Sequence, residues 1–380
     1  MKAIILISEA SLPLAKTLQG ELKDALIYTK NEWEGCISIA SYHRFMEEHF
    51  NDFESIIFIG ALGICVRSMA GCLTNKYKDP AVVCVDSTGR FVISVLSGHV
   101  GGANELTRHI AGITGGEAVI TTQSDNAGLW ALDILATEYG WKTAVAHTEM
   151  NRMITLFVNR KPTALLLDIK DKGTDYLERT LPEHAKVFYH FEDIPQSEFG
   201  LMIAVTPYIY SAEIPMLCFR PAVFHLGVGC RKQCNPAGIA GYIEKVMREH
   251  RLCPLSLASV NTIELKKDEP LLETLRQQWP ESETHIYTSD ELKGIEVPNP
   301  SEKAFEVTGI YGVAESTALK SSGEGTLVLE KQKGVLTKGN HFTFAIALSA
   351  IALRGGHIEI VGAGPGDPEL ISVRGKRMLE

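Results

Sequence analysis

The sequence predicts a multidomain α/β protein: an N-terminal Rossmann-like layered domain over 1–139, a small middle segment over 140–218, and a separate C-terminal α/β domain over 219–353. Strand-like apolar runs at 2–7, 55–59 and 118–122 alternate with helical periodicity at 12–22, 42–50, 103–113 and 129–139, which is α/β patterning. After Gly140 the character changes, with short strands at 163–169 and 186–191 separated by charged linkers such as 171–179. A third unit opens with a strand at 222–226, enters a glycine turn at GVGCRK and continues into a helix over 239–250. Later signals are helices over 271–278 and 313–319 and strands at 285–288, 326–330 and 342–348.

Within the first domain, apolar runs at 81–85 and 91–96 flank a Ser-Thr-Gly turn and read as a hairpin, because β-branched residues suit a pleated surface. The second strand opens into SGHVGGAN, residues 97–104. This loop is expected to leave several backbone N–H groups unpaired just before a helix starting near Ala103, which suits an anion or a developing oxyanion.

A chain of 380 residues with 45% hydrophobic content is long enough for two or three cores and reads as a soluble globular protein. Its net charge of −9 argues against a general nucleic-acid or anionic-membrane binder, since phosphate neutralisation needs a basic surface. The apolar start at 1–8 is short, is followed by Glu9 and Glu21, and reads as a first strand rather than a leader. The run 342–353 falls well short of the ~20 residues a membrane helix needs. Eight scattered cysteines fit a cytoplasmic protein. Cys230 and Cys234 alone suggest a ligand pair, no second pair completes a zinc site, and no metal is expected there.

Three glycine-bearing segments carry candidate chemistry. GALGICVR at 60–67 follows a strand, so Gly60, Gly63 and Arg67 are expected at its carboxyl end, where open α/β sheets place ligands. Its spacing is not that of a dinucleotide fingerprint, which counts against a nucleotide-binding protein. In the second segment His99 lies between glycines, and an imidazole takes or gives a proton near neutral pH. Asp79, Asp86 or Asp125 could orient it, although turn and capping roles explain each carboxylate equally well. In the third, Gly227 and Gly229 form a turn followed by Arg231 and Lys232 ahead of a helix, an arrangement suited to carboxylates or phosphates. Glu264, Lys266 and Glu315 read as helix-terminal charges.

Taken together, GALGICVR, the segments 79–86, 97–104 and 120–125, GVGCRK, TIELKKDEPLL and GIYGVAESTAL resemble the CbiG-type cobalt-precorrin-5A hydrolases of cobalamin biosynthesis, over roughly residues 1–350. The resemblance implies an enzyme that opens the ring A δ-lactone of a cobalt-containing tetrapyrrole and releases acetaldehyde. It implies no cofactor of the protein's own, since the cobalt belongs to the substrate. For that reaction His99 is the expected base, with Asp79, Asp86 or Asp125 as its partner, the 97–104 backbone (Ser97, Gly98, Gly101 and Gly102) as oxyanion site and Asn104 as a supporting donor. The carboxylate-rich substrate calls for cations from Arg67, Lys76, Lys78, Arg90, Arg231 and Lys232, the arginines being suited to bidentate contact. The macrocycle is expected between the N- and C-terminal domains.

The tail at 357–380, with GAGPGD, resembles the opening of the S-adenosylmethionine-dependent tetrapyrrole methylases, closest to the precorrin-4 C11-methyltransferase type. A fused or neighbouring methylase is therefore an expected partner, and so short a piece is not expected to methylate. The alternative reading of the whole chain is a non-catalytic tetrapyrrole carrier, which needs the same glycines and arginines.

Overall fold

The computed structural model describes residues 1–122, 128–336 and 340–354. Asp125 and the methylase-like tail at 357–380 lie outside the described residues. The chain divides into two compact units, one of residues 1–138 and 145–161, the other of 139–144 and 162 onward. Residues 145–161, expected in the middle segment, thus belong with the N-terminal unit.

The first unit is built on β1 (Lys2–Leu6), α1 (Leu12–Glu21), β2 (Ala25–Thr29), β3 (Ile37–Ser38), α2 (Tyr42–His49), β4 (Ser55–Ile59), α3 (Leu62–Met69), β5 (Ala81–Val85), β6 (Phe91–Leu96), α4 (Ala103–Thr114) and β7 (Glu117–Val119). The strands form one sheet in the order β3-β2-β1-β4-β5-β6-β7. β1 to β5 run parallel, whereas β6 pairs antiparallel with β5 and β7 follows β6. Successive residues of a strand face opposite sides, so β1 and β4 feed two cores. Ile4, Leu6, Ile57 and Ile59 pack with Leu18 of α1 and Ile110 of α4. Ile5, Ile56 and Phe58 pack with Met46 of α2 and Met69 of α3.

The expected helix over 129–139 is shorter, α5 (Leu135–Tyr139), and the expected strand at 118–122 is β7. α6 (His147–Val158) was not anticipated; its Phe157 ring stacks on Trp130 at 5.4 Å between centroids.

The second unit holds two sheets. β8 (Thr163–Leu167), α7 (Lys172–Arg179), β9 (Ala185–Phe188), β10 (Leu201–Val205) and β11 (Met216–Phe219) give an all-parallel sheet in the order β11-β10-β8-β9. The expected charged linker at 171–179 is α7. Its start is a capping box, in which the Asp171 carboxylate accepts the Thr174 N–H at 2.8 Å and Thr174 Oγ1 accepts the Asp171 N–H at 2.8 Å. The charges lie on its outer face while Thr174 and Leu177 are buried.

The other sheet comprises β12 (Phe224–Cys230), α8 (Ile239–Glu249), β13 (Leu257–Ile263), α9 (Pro270–Gln278), β14 (Glu283–Tyr287), α10 (Ser289–Leu292), α11 (Glu302–Thr308), α12 (Val313–Ser321), β15 (Thr326–Val335) and β16 (His341–Leu348). Its order is β14-β13-β12-β16-β15, with β16 antiparallel to β12. Here the GVGCRK expectation is corrected: Gly227 and Gly229 are not a turn but lie inside β12. A Cβ on Gly227 would stand 1.9 Å from the Ala314 carbonyl oxygen, so this glycine lets α12 rest directly on the sheet. Glu315 also gains a different role. Fully buried, its carboxylate accepts from Asn299 Nδ2 at 2.8 Å and from the Lys331 N–H at 3.0 Å, which staples α12 to neighbouring segments.

On β12, His225 is held between two hydroxyls, Nδ1 to Ser259 Oγ and Nε2 to Ser349 Oγ, both at 2.7 Å. Burial, with His285 adding to it, pushes its pKa down to about 4. The native state therefore binds fewer protons than the unfolded chain between pH 6.5 and about 4, so stability present above pH 6.5 is lost as pH falls through that window. The loss is about 3 kcal/mol for this group. Denaturant midpoints at pH 7 and 4.5 should fall further for the wild type than for His225→Gln; equal drops would refute the assignment.

Candidate functional site

Because β6 reverses direction, the 60–67 and 97–104 segments lie at opposite edges of the first sheet. Gly60 follows the carboxyl end of β4 and its N–H bonds to the Val85 carbonyl at 2.9 Å. The loop after β6 instead lies at the amino ends of β4 and β5, where Leu96 is paired with Val82 and a Cβ on Gly101 would touch the Ala81 nitrogen at 3.3 Å. Five strand residues separate the two edges by about 16 Å. Gly60, Gly63, Asp86 and Arg90 are thereby removed from His99. Arg67, on α3, is exposed and reaches back to within 3.6 Å of where a Gly63 Cβ would stand.

Asp86 does not orient His99. It closes the β5–β6 turn, accepting from Thr88 Oγ1 at 2.6 Å and from the Phe91 N–H at 2.8 Å. Burial alone would raise its pKa, but these hydrogen bonds outweigh it and hold the carboxyl below its ordinary value. Asp79 is likewise occupied, its carboxylate accepting from Thr74 Oγ1 at 2.6 Å and the Thr74 N–H at 3.0 Å. Its contribution is architectural. It fixes the 74–79 loop, and its carbonyl accepts Ser97 Oγ at 2.9 Å, which ties that loop to the one carrying His99.

The 97–104 loop is a tight strand-to-helix turn. Ser97 takes a left-handed φ of 57°, and side chains at the next glycines would collide, Gly98 with Asn104 Oδ1 at 2.8 Å and Gly101 with the Ser97 Cβ at 2.4 Å. Asn104 is a buried latch rather than a spare donor: its Oδ1 accepts Ser94 Oγ at 2.7 Å and its Nδ2 donates to Thr122 Oγ1 at 3.0 Å. The expectation of unpaired N–H groups holds for part of the loop. Those of Gly102, Ala103 and Asn104 are spent on the carbonyls of His99, Ser97 and Gly98, at 3.0, 3.2 and 2.9 Å. Those of Gly98, Val100 and Gly101 have no hydrogen-bond partner among the described residues. A cavity of about 440 Å³ borders Gly101 and Gly102 and is also lined by Lys2, Lys23 and His109.

The carboxylate that faces His99 is one the sequence reading did not nominate. Asp133 Oδ1 lies 3.8 Å from His99 Nδ1, an ion-pair separation longer than a hydrogen bond, and its Oδ2 accepts Lys76 Nζ at 3.0 Å. The Asp133 side chain is 6% exposed, that of His99 19% and that of Lys76 40%. Burial works against the Lys76 charge, but the bond to Asp133 and its negative charge outweigh that, and the ammonium pKa is raised. Lys76, expected as a cation for substrate carboxylates, here serves a carboxylate of the protein itself. Lys78, in the same loop, is exposed. A buried Asp within the apolar stretch LWALDILA, beside buried Trp130, Leu132 and Leu135, was the available signal, since a carboxylate in such company needs a partner.

Arg231 and Lys232 belong to the second unit, at the end of β12, and both are exposed. The helix expected to add its N-terminal field to them begins only at Ile239. Among the described residues no cluster of three or more His, Cys, Asp or Glu is placed to hold a metal ion.

Family models for the cobalamin synthesis G N-terminal region, the cobalamin biosynthesis central region and the cobalamin synthesis G C-terminus match residues 44–125, 130–221 and 224–347. The cobalt-precorrin-5A hydrolase of Priestia megaterium is 31% identical over 361 residues, 91% of this chain and 94% of that protein. The cobalt-precorrin-5A hydrolase of Salmonella typhimurium is 30% identical over 273 residues, 70% of this chain and 76% of its own. A crystal structure of a cobalamin biosynthesis protein G homolog from Sulfolobus solfataricus aligns over 92% of this chain and 97% of that one, at 18% identity and a TM-score of 0.36. With three family segments in order along it and a relative alike over nearly its whole length, this chain belongs to the CbiG-type cobalt-precorrin-5A hydrolase family.

Proposed function

We propose that the protein hydrolyses cobalt-precorrin-5A, opening its ring A δ-lactone and releasing acetaldehyde to give cobalt-precorrin-5B. Among its own residues, the observation that carries this reading is His99, faced by Asp133 and set in a loop with three N–H groups that have no partner among the described residues. Lactone hydrolysis needs a base to take a proton from water and donors for the oxyanion that forms on the carbonyl. His99 is the base, Asp133 favours the imidazolium that results, and the N–H groups of Gly98, Val100 and Gly101 supply the donors. Lys76 orients the Asp133 carboxylate through a charge-assisted hydrogen bond.

In the unit that carries His99, Lys78 is exposed and is the candidate to meet a substrate carboxylate. The cobalt arrives in the substrate. The tail at 357–380 is read as the start of a tetrapyrrole methylase, the class of enzyme that would act immediately before this step. No helix among the described residues is long and apolar enough to cross a membrane.

Supplying the lactone-bearing cobalt tetrapyrrole and following acetaldehyde with an aldehyde-specific reagent tests the reading. Catalytic release is expected. Tight binding of the macrocycle with no release over many protein equivalents would replace the hydrolase reading with that of a carrier.

A further inference from the structure

One polar group beside Lys76 has no part yet in the chemistry, the Tyr77 hydroxyl. Tyr77 follows Lys76 in the 74–79 loop, and its N–H is fixed by Asn75 Oδ1 at 3.0 Å. Its ring is clamped on known neighbours. His147, the first residue of α6, stacks on it at 3.7 Å and 26°, and Lys76 Nζ lies 5.0 Å from its centroid. The hydroxyl oxygen is buried and makes no geometric hydrogen bond among the described residues. The Lys76 ammonium beside it can only donate, so the hydroxyl's own proton has no acceptor among the described residues. A buried hydroxyl without a partner lowers stability, and phenylalanine would fill the same space without that penalty. The oxygen is therefore of use only when an acceptor arrives with a ligand.

We propose that Tyr77 is the acid of the site, donating its proton to the ring oxygen that leaves when the lactone opens. This rests on the hydrolase reading. In the step, water adds its oxygen to the lactone carbonyl carbon and its proton goes to His99. The carbonyl carbon to ring oxygen bond then breaks, and the leaving oxygen takes the Tyr77 proton. The phenolate that remains is stabilised by the Lys76 ammonium, and the proton on His99 returns to it through solvent. One water is consumed and both groups are restored.

Tyr77→Phe removes the oxygen alone and keeps the stack on His147. With the lactone-bearing cobalt tetrapyrrole as substrate, kcat for acetaldehyde release is expected to fall by roughly 10²-fold, KM to stay within about twofold, and Tm to equal or exceed that of the wild type. An unchanged kcat overturns the proposal. A lower Tm together with the lower kcat also overturns it, because the hydroxyl would then be structural. Wild-type protein that releases no acetaldehyde overturns the hydrolase reading and this inference with it, whereas an active wild type beside an equally active Tyr77→Phe overturns the inference alone.

Discussion

His99→Ala is expected to lower acetaldehyde release by roughly 10²- to 10⁴-fold with little change in KM or Tm, the range set by removing a positioned general base. The imidazole packs in a loop that is otherwise held by its own backbone, by Ser97 on Asp79 and by Asn104 on Ser94 and Thr122, so the scaffold survives its loss. Asp133→Asn should reproduce much of the effect, because the amide keeps the shape but not the charge that favours the imidazolium. The Asn variant also leaves Lys76 without its carboxylate, so the pH profile of kcat should change in shape and not only in height. Normal turnover by His99→Ala would remove His99 from the chemistry. A full defect in His99→Ala with none in Asp133→Asn would separate the pair.

The largest expected effect on folding is at Gly227. A methyl there would lie 1.9 Å from the Ala314 carbonyl oxygen, 2.6 Å from Thr317 Oγ1 and 2.8 Å from the Ala318 nitrogen. These atoms belong to a buried helix packed on the central strand of its sheet, so neither side yields, and Gly227→Ala should cost at least ~3 kcal/mol, the upper part of the range for overpacking. Gly241→Ala is the control. It lies in α8, exposed, with nothing within 4 Å of its added methyl, and should stabilise by up to ~1 kcal/mol through helix propensity. Urea titration of both variants decides the matter. Gly227→Ala with a midpoint near that of the wild type would show that α12 can lift, and would undo the account of why this strand carries glycine.

Much of the architecture was written in local patterns. β1, β4, the β5–β6 hairpin, α4 and the core strands β12 and β16 follow from runs of branched apolar residues and from amphipathic spacing, which act over a few residues. α7 escaped because its charged face outnumbers its buried one, and the cap formed by Asp171 and Thr174 is visible only in three dimensions. GVGCRK looked like a turn because glycines usually mark one, whereas here they mark the approach of a helix to a strand. Asp79, Asp86 and Asn104 were legible as important polar residues, but their partners were not, and each is a staple of the backbone.

The 97–104 loop, its histidine and its glycines were determined by sequence alone, since a strand entering a helix through Ser-Gly-His-Val-Gly-Gly specifies a tight, donor-rich turn whatever surrounds it. The family resemblance was carried by motifs in order along the chain. Tertiary structure decided which groups meet that histidine. Strand direction sent Gly60, Arg90 and Asp86 to the far edge of the sheet, and chain reversal between residues 76 and 133 brought Lys76 and Asp133 to His99. The reason is that propensity and capping act between neighbours in sequence, whereas a charge pair spanning 57 positions exists only once the sheet has fixed both ends.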